Sequence, residues 1–344
     1  MNPLVECVPN FSEGRDEKKI KLITDIVKLA DGVTLLDVDM GYDFNRTVVT
    51  MVGKPQSVLD TVIKCTKIAS ELIDMTEHAG EHARMGAVDV VPFIPIRDVT
   101  MEECVELSQK YAEAISSELG MSVYLYAKSA TRENRINLPD IRRGEYEGLP
   151  DKLSNDEWIP DYGPANFNPK LGVTATGARQ FLIAFNINLN TNEKSKANSI
   201  ASKIRTSGTL IKDKEGNKVL GSDGKPLRNP GLFKSLQAAG WMYDEDIAQV
   251  SMNFLDYSTT GLHIVTDEVK KQAASIGLEA TSSELVGLVP LDAMIEAGKH
   301  YSGLENLTEN QYVNIAIEGL MLDKLNNFDS KSNIIEWAIK EVDK

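Results

Sequence analysis

The stretch EHAGEHARMG, residues 77–86, carries two of the chain's four histidines, four positions apart. His78, Glu81 and His82 spell H-x-x-E-H, the pattern with which inverzincin peptidases hold zinc between two imidazoles and keep a carboxylate beside it. That chemistry needs a helix, because a helix brings positions i and i+4 onto one face. Gly80, at the centre of the motif, opposes a helix by about 1 kcal/mol relative to Ala. Gly86 and an extended apolar run follow at once. The motif is therefore expected on a helix-to-strand loop, with no metal on it. A neutral imidazole, whose ordinary pKa is about 6.5, can instead accept a proton at pH 7. His82 is then a candidate general base, with Glu81, Asp37 and Asp39 as carboxylates able to orient it and Arg84 as a partner for an anionic substrate. The alternative is structural: His82 bonded to a backbone carbonyl, and Glu81 paired with Arg84 at the surface. On spacing alone the two readings stand level.

The elements around this stretch read in a definite order. LVECVPNF (4–11) is a short strand, and DEKKIKLITDIVKLADG (16–32) has apolar residues at helical spacing with Gly32 as a stop. VTLLDVDM (33–40) and TVVTMVG (47–53) are strands joined by the turn-rich GYDFNR. A long helix, expected to run from Lys54 to near Met75, has Pro55 where a missing amide hydrogen costs little. VDVVPFIPI (88–96) contains two prolines and is expected as an edge or terminating strand. Residues 101–120 read as a helix and 121–127 as a strand.

The second half repeats the order: strand 181–189, helix 193–208, two strands in FKSLQAAGWMY and AQVSMNFLDY, helix 259–277, and a strand within 278–290. Both halves read β-α-β-β-α-β, which predicts an α/β (α+β) fold of two tandem ferredoxin-like subdomains forming a duplicated sandwich, 1–178 and 179–344. The connection 142–172 is rich in Pro, Gly, Asn and Asp, a composition shared by linkers and functional loops. The polar, glycine-containing segment 212–231 is expected as an exposed hairpin or flap.

Composition bounds the function. At 344 residues, 42% apolar and 26% charged, the chain reads as soluble and globular, with room for two domains. It has no run of eighteen apolar residues. MNPLVECVPNF has neither the basic nor the apolar region of a secretion signal. Three cysteines, Cys7, Cys65 and Cys104, are too few and odd in number for a disulfide framework, so the expected setting is a reducing cytoplasm. A net charge of −14 argues against nucleic acid as a partner. It leaves room for a small anion, since salt screens distant charge within roughly 8 Å.

Taken together, several segments resemble the formiminotransferase domain of the folate-dependent formiminotransferase-cyclodeaminases, the glutamate formimidoyltransferase family. They are LVECVPNFSEG (4–14), LLDVDMG (35–41), NRTVVTMVG (45–53), ELIDM (71–75), GEHARMGAVDVVPFIPI (80–96), EECVELSQKYA (102–112), VYLY (123–126), RRGEYEGLP (142–150), EWIPDYGP (157–164), GARQFLIAFNINL (177–189), AQVSMNFLDY (248–257) and SELVGLVPL (283–291). The match runs through nearly the whole chain in one order, and the family's domain is itself two similar α/β subdomains.

The resemblance implies transfer of a formimidoyl group from N-formimidoyl-L-glutamate to N5 of tetrahydrofolate, a step of histidine degradation, with folate as co-substrate and no metal. The family's catalytic histidine is the second of H-x-G-E-H, here His82, expected to take the proton from N5. The family's folate-contact segment matches Gly163, Pro164, Ala165, Asn166, Phe167, Asn168, Pro169, Lys170, Leu171 and Gly172. Asp39 is assigned to orienting or protonating substrate, its alternative being a turn cap. Arg46 and Arg84 are expected partners for glutamate carboxylates, as planar bidentate donors, the alternative being surface ion pairs. His263 and His300 read as structural. A homodimer with no membrane association is the family-level expectation, as is a separate enzyme for the product, since 344 residues leave no room for a cyclodeaminase domain. A formyl donor, N-formylglutamate or 5-formyltetrahydrofolate, is a close alternative within the same chemistry. A zinc hydrolase built on His78, Glu81 and His82, or a folate-binding protein without catalysis, is an alternative of another class.

Overall fold

The computed structural model describes residues 3–221, 224–325 and 327–342, and it divides into two compact units, one ending at Gln180 and one beginning at Phe181. The first unit opens with β1 (Leu4–Cys7) and β2 (Asn10–Phe11), which Val8 and Pro9 separate. In α1 (Glu17–Lys28), Asp16 is the cap, its carboxylate accepting from the Lys18 and Lys19 amides, a device worth about 1 kcal/mol. The hairpin β3 (Val33–Gly41) and β4 (Arg46–Gly53) leads into α2 (Pro55–Leu72) and β5 (Val88–Arg97). Then come α3 (Met101–Leu119), held by a Thr100–Glu103 capping box, and β6 (Ser122–Ala127). The short helices α4 (Leu138–Arg142) and α5 (Leu149–Leu153) precede β7 (Val173–Ala178).

β1 and β2 both lie between β4 and β5, and β3 flanks β4, every pairing antiparallel. This is the ferredoxin-like arrangement expected from the element order. Parallel β7 and β6 extend it beyond β5, the α3 crossover supplying the length that a parallel connection needs. One face is covered by α1, α2 and α3. Ile20, Ile23 and Val27 of α1 and Val58, Val62, Cys65 and Ala69 of α2 recur at helical spacing and bury against Val5, Phe11, Met51 and Phe93. Each such apolar side chain contributes about 1.5–3 kcal/mol when fully buried. On the other face, Met85, Val90, Tyr124, Tyr126, Ile141 and Leu149 form a second, smaller cluster beneath α4 and α5.

Two expectations need correction. Residues 88–96 form no edge strand: β5 runs through the middle of the sheet, between β1/β2 and β7. Its prolines sit where no amide hydrogen is needed. Pro92 faces the break between β1 and β2, where its carbonyl accepts from the Val8 amide. Pro95 falls beyond the end of β7, whose last register partner on β5 is Phe93. The long helix stops at Leu72, short of Met75, because the Met75 amide bonds to the Lys170 carbonyl (3.0 Å). β7, VTATGA, carries a weak strand signal, its Val173, Thr174 and Thr176 interspersed with Ala and Gly.

The second unit comprises β8 (Ile183–Leu189), α6 (Lys194–Ile204), β9 (Thr209–Leu210), β10 (Arg228–Asn229), β11 (Leu236–Met242), β12 (Ala248–Phe254), α7 (Leu262–Ser275) and β13 (Ala280–Val286). Its sheet order, β11-β12-β8-β13, is again ferredoxin-like and antiparallel. β9 and β10 close the exposed hairpin expected around 212–231. Beyond the six-element pattern lie α8 (Leu291–Ser302), α9 (Glu309–Gly319), α10 (Ser330–Asn333) and α11 (Ile335–Val342). Among the described residues no helix is long and apolar enough to cross a membrane.

Candidate active site

The loop between α2 and β5 contains no helix, so the two histidines of H-x-x-E-H do not share a helical face. Gly80 explains the loop's course. A Cβ there would lie 2.2 Å from the Phe44 carbonyl oxygen, so only glycine lets the loop press onto the β3–β4 turn. Asn45, at the tip of that turn with φ 48°, anchors the contact. Its side chain accepts from the Gly14 amide (2.9 Å) and donates to the Ala79 carbonyl (3.1 Å).

The histidines separate in role. His78 donates through Nε2 to the Asn45 carbonyl (2.8 Å), and its Nδ1 accepts from Arg84 Nε (3.4 Å), so both ring nitrogens are engaged. Glu81 is exposed, and its amide donates to Asp43. Among the described residues no three His, Cys, Asp or Glu side chains converge as metal ligands. His82 donates through Nδ1 to the Ala83 carbonyl (2.6 Å), which leaves Nε2 with its lone pair, and Arg46 Nη1 donates to that nitrogen. Burial first, then the charges of Arg46 and Arg142, hold its pKa below the ordinary imidazole value. His82 is therefore held as a neutral imidazole with a defined tautomer. The backbone bond in the structural alternative is present, and it orients the ring.

Arg46 opens β4 opposite Gly41, on the same sheet face as Asp39, which pairs with Val48. Burial and the Arg142 charge lower the Arg46 pKa, against Asp89 and Asp39. Asp39 itself is exposed, whereas Asp37, two residues earlier, is half-buried, and burial raises its pKa. The turn-cap alternative for Asp39 does not apply, since it sits inside β3. Arg84 does not pair with Glu81. Its buried guanidinium is bidentate to Glu147 (2.6 and 2.9 Å) and reaches Glu145 (3.0 Å). With His78, Gly80 and Gly144 these groups line a cleft of about 510 Å³.

Residues 163–172 join the same neighbourhood. Gly163 and Pro164 fold against β6, the Pro164 carbonyl accepting from Ser122 Oγ (2.6 Å). Ala165, Asn166, Pro169 and Lys170 are exposed, and the Phe167 ring lies 5.5 Å from that of Tyr146. The Asn168 carboxamide accepts from the Lys170 and Leu171 amides, forming a tight turn. Leu171 accepts from the Ala87 amide, and Gly172 bridges Gly86, so the segment's end is stitched to the loop that carries His82. A Cβ on Gly172, whose φ is +64°, would lie 2.0 Å from the Met85 oxygen.

His82, Arg46, Asp39, Arg84 and 163–172 thus share the first unit. Sequence reading missed three residues beside them: Asn45, Asp89 and Arg142. Only the αL tolerance of Asn45 within a turn had a local signal. His263 and His300 lie in the second unit, with rings 4.6 Å apart and His300 bonded to Asp267 (2.7 Å).

Comparison with known proteins gives a consistent result. A family model described as the formiminotransferase domain, N-terminal subdomain, matches residues 4–179, and one described as the formiminotransferase domain matches 184–340. The chain is 47% identical, over 99% of its length, to formimidoyltransferase-cyclodeaminase of Dictyostelium discoideum, of which it spans 61%. It is 41% identical, over 91% of its length, to glutamate formimidoyltransferase of Streptococcus pyogenes serotype M1, and spans 98% of that protein. The corresponding values for glutamate formimidoyltransferase of Thermoplasma acidophilum are 38%, 92% and 97%.

Proposed function

The chain belongs to the formiminotransferase family, and on that premise we propose that it transfers the formimidoyl group of N-formimidoyl-L-glutamate to N5 of tetrahydrofolate. The observation that supports this best is the neutral His82 with Nε2 as its accepting nitrogen, on a loop stitched to 163–172. His82 takes the proton that N5 loses as its lone pair forms a bond to the amidinium carbon. The resulting imidazolium returns that proton to the glutamate nitrogen as the bond from that nitrogen to carbon breaks. Arg46 holds Nε2 in the resting site and turns to a substrate carboxylate when N5 arrives. Residues 163–172 hold the folate, Asp39 faces the cationic donor, and Arg84 keeps the 144–147 turn against His78. The amidinium carbon is already electrophilic, so holding two substrates together provides much of the acceleration without calling on a metal. A cytoplasmic homodimer acting in histidine degradation completes the reading, in keeping with three buried, unpaired cysteines.

The test is an assay of formimidoylglutamate with and without tetrahydrofolate, and with and without chelator, for wild type and His82→Ala. Folate-dependent consumption lost in the variant supports the reading. Zinc-dependent donor hydrolysis without folate favours a hydrolase, and tight folate binding without transfer favours a binding protein. Comparing kcat/KM for formimidoyl and formyl donors separates the two transferases.

A further inference from the structure

We propose that Arg142 and Asp89 are a positioning pair for His82, acting through the loop that carries it; the inference rests on the reading of His82 as the base. Asp89 is fully buried on β5. One carboxylate oxygen accepts from the Met85 amide (2.8 Å), three residues beyond His82, and the other accepts from Arg142 Nη2. The Met85 carbonyl is held by the Val173 amide (3.1 Å), so the backbone is fixed on both sides of Met85. Arg142, in turn, is clamped by its backbone. Lys152 donates to the Ile141 carbonyl and to the Arg143 carbonyl (2.7 Å), the two flanking Arg142, with its ammonium 4.4 Å from the Trp158 ring centre. A five-residue helix such as α4 is too short to hold its own end, and Lys152 does so instead.

Removing either member of a buried ion pair leaves the other uncompensated, so the pair is more than a surface contact. The charge on Arg142 also acts on His82. The charged groups acting on His82 are Arg46 from β4, Arg142 from α4 and Asp89 from β5, with Ala83 supplying the carbonyl bond. Arg142 disfavours the imidazolium and Asp89 favours it. A purely structural pair would give two variants that loosen the loop alike. A pair that sets the charge state of His82 gives variants that move it in opposite directions.

The experiment is a titration of His82 by NMR on the histidine-labelled protein, for wild type, Arg142→Met and Asp89→Asn, with the pH profile of kcat/KM alongside. Arg142→Met is expected to raise the His82 midpoint by about half a pH unit or more, and Asp89→Asn to lower it. The acid limb of kcat/KM should follow each, with kcat reduced more than KM is changed. Folded variants whose midpoints do not move, or move together, overturn the proposal. Should one variant fail to fold, the sign of the other decides, and Arg142→Lys, which keeps the charge, must stay near wild type in midpoint. The titration needs no turnover. A wild type without transferase activity would therefore sink the functional reading and still leave the pair's effect on His82 measurable.

Discussion

Arg46 Nη1 donates to Nε2 of His82, the ring nitrogen that the Nδ1–Ala83 bond leaves unprotonated. A cation thus occupies the lone pair that would receive a proton. Burial first, and then this charge, hold the ring's pKa low, and on the proposed mechanism Arg46 yields its place when a substrate N–H arrives. His82→Ala should lower kcat by about 10²–10⁴-fold, the usual contribution of a general base. Stability should change by no more than about 1–2 kcal/mol, since the ring is only half-buried. Transfer assays beside a thermal melt check both; wild-type turnover by a folded variant would remove His82 from the mechanism.

The pH dependence follows in sign. The folded pKa of His82 lies below the ordinary imidazole value because of burial, Arg46 and Arg142. The neutral base is therefore retained below about pH 6.5, and kcat/KM falls only as pH drops through the lowered value. Arg46→Gln removes one of the depressing charges, so its acid limb should move to higher pH. An unmoved limb would mean that the Arg46 contact does not govern the base.

Stability should follow the same direction. His78, His82 and His263 all have pKa values lowered, chiefly by burial. In the unfolded chain they titrate near about 6.5, so from there downward the unfolded state binds more protons than the native one. By linkage, stability rises with pH across that window and is lost as pH falls through the folded values. Urea unfolding between pH 7 and pH 5 should show a falling midpoint before the carboxylates titrate. His78→Asn should flatten that fall.

The order of elements and the duplication were legible because each rests on local pattern, whereas the spacing of H-x-x-E-H left the role of His82 open. Periodicity placed α1 and α2, and Gly80 argued against the zinc helix. What was not legible depends on neighbours distant in the chain. The prolines of β5 suggested an edge, but one faces the β1–β2 break and the other lies past the end of β7, neither of which β5's own residues reveal. VTATGA has three β-branched residues but no large apolar or aromatic one, and it becomes a strand where β5 and β6 pair with it on both sides. Asp89 and Arg142 stand 53 positions apart, and nothing in either segment names the other.

Gly172→Ala tests the stitch between 163–172 and the histidine loop. Gly172 and Gly120 have nearly the same φ, +64° and +65°, but a Cβ at 172 meets the Met85 oxygen at 2.0 Å, whereas at 120 nothing lies within 4 Å. Gly120→Ala should therefore cost about 1–2 kcal/mol, the αL penalty alone. Gly172→Ala should cost clearly more and should also lower kcat, because Met85 lies three residues from His82. Equal melting points for the two variants would show that the close approach is not maintained in solution.

The two arginines that sequence reading assigned to substrate should part company. Arg84 is already bidentate to Glu147, whose hydrogen bonds raise its pKa, and its side chain is only 9% exposed. Both carboxylates are well exposed, so solvent screening keeps the pairs modest, about 1 kcal/mol or less. Arg84→Met should therefore loosen the 144–147 turn and leave the KM for the glutamate donor within about threefold. Arg46 is bonded to His82 and free to exchange that partner for a carboxylate, and losing such a charge-assisted bond costs about 1.5–3 kcal/mol. Arg46→Gln should accordingly raise the donor KM by about tenfold or more. Steady-state kinetics with varied formimidoylglutamate decide the matter. A large KM effect at Arg84 and none at Arg46 would reverse the assignment.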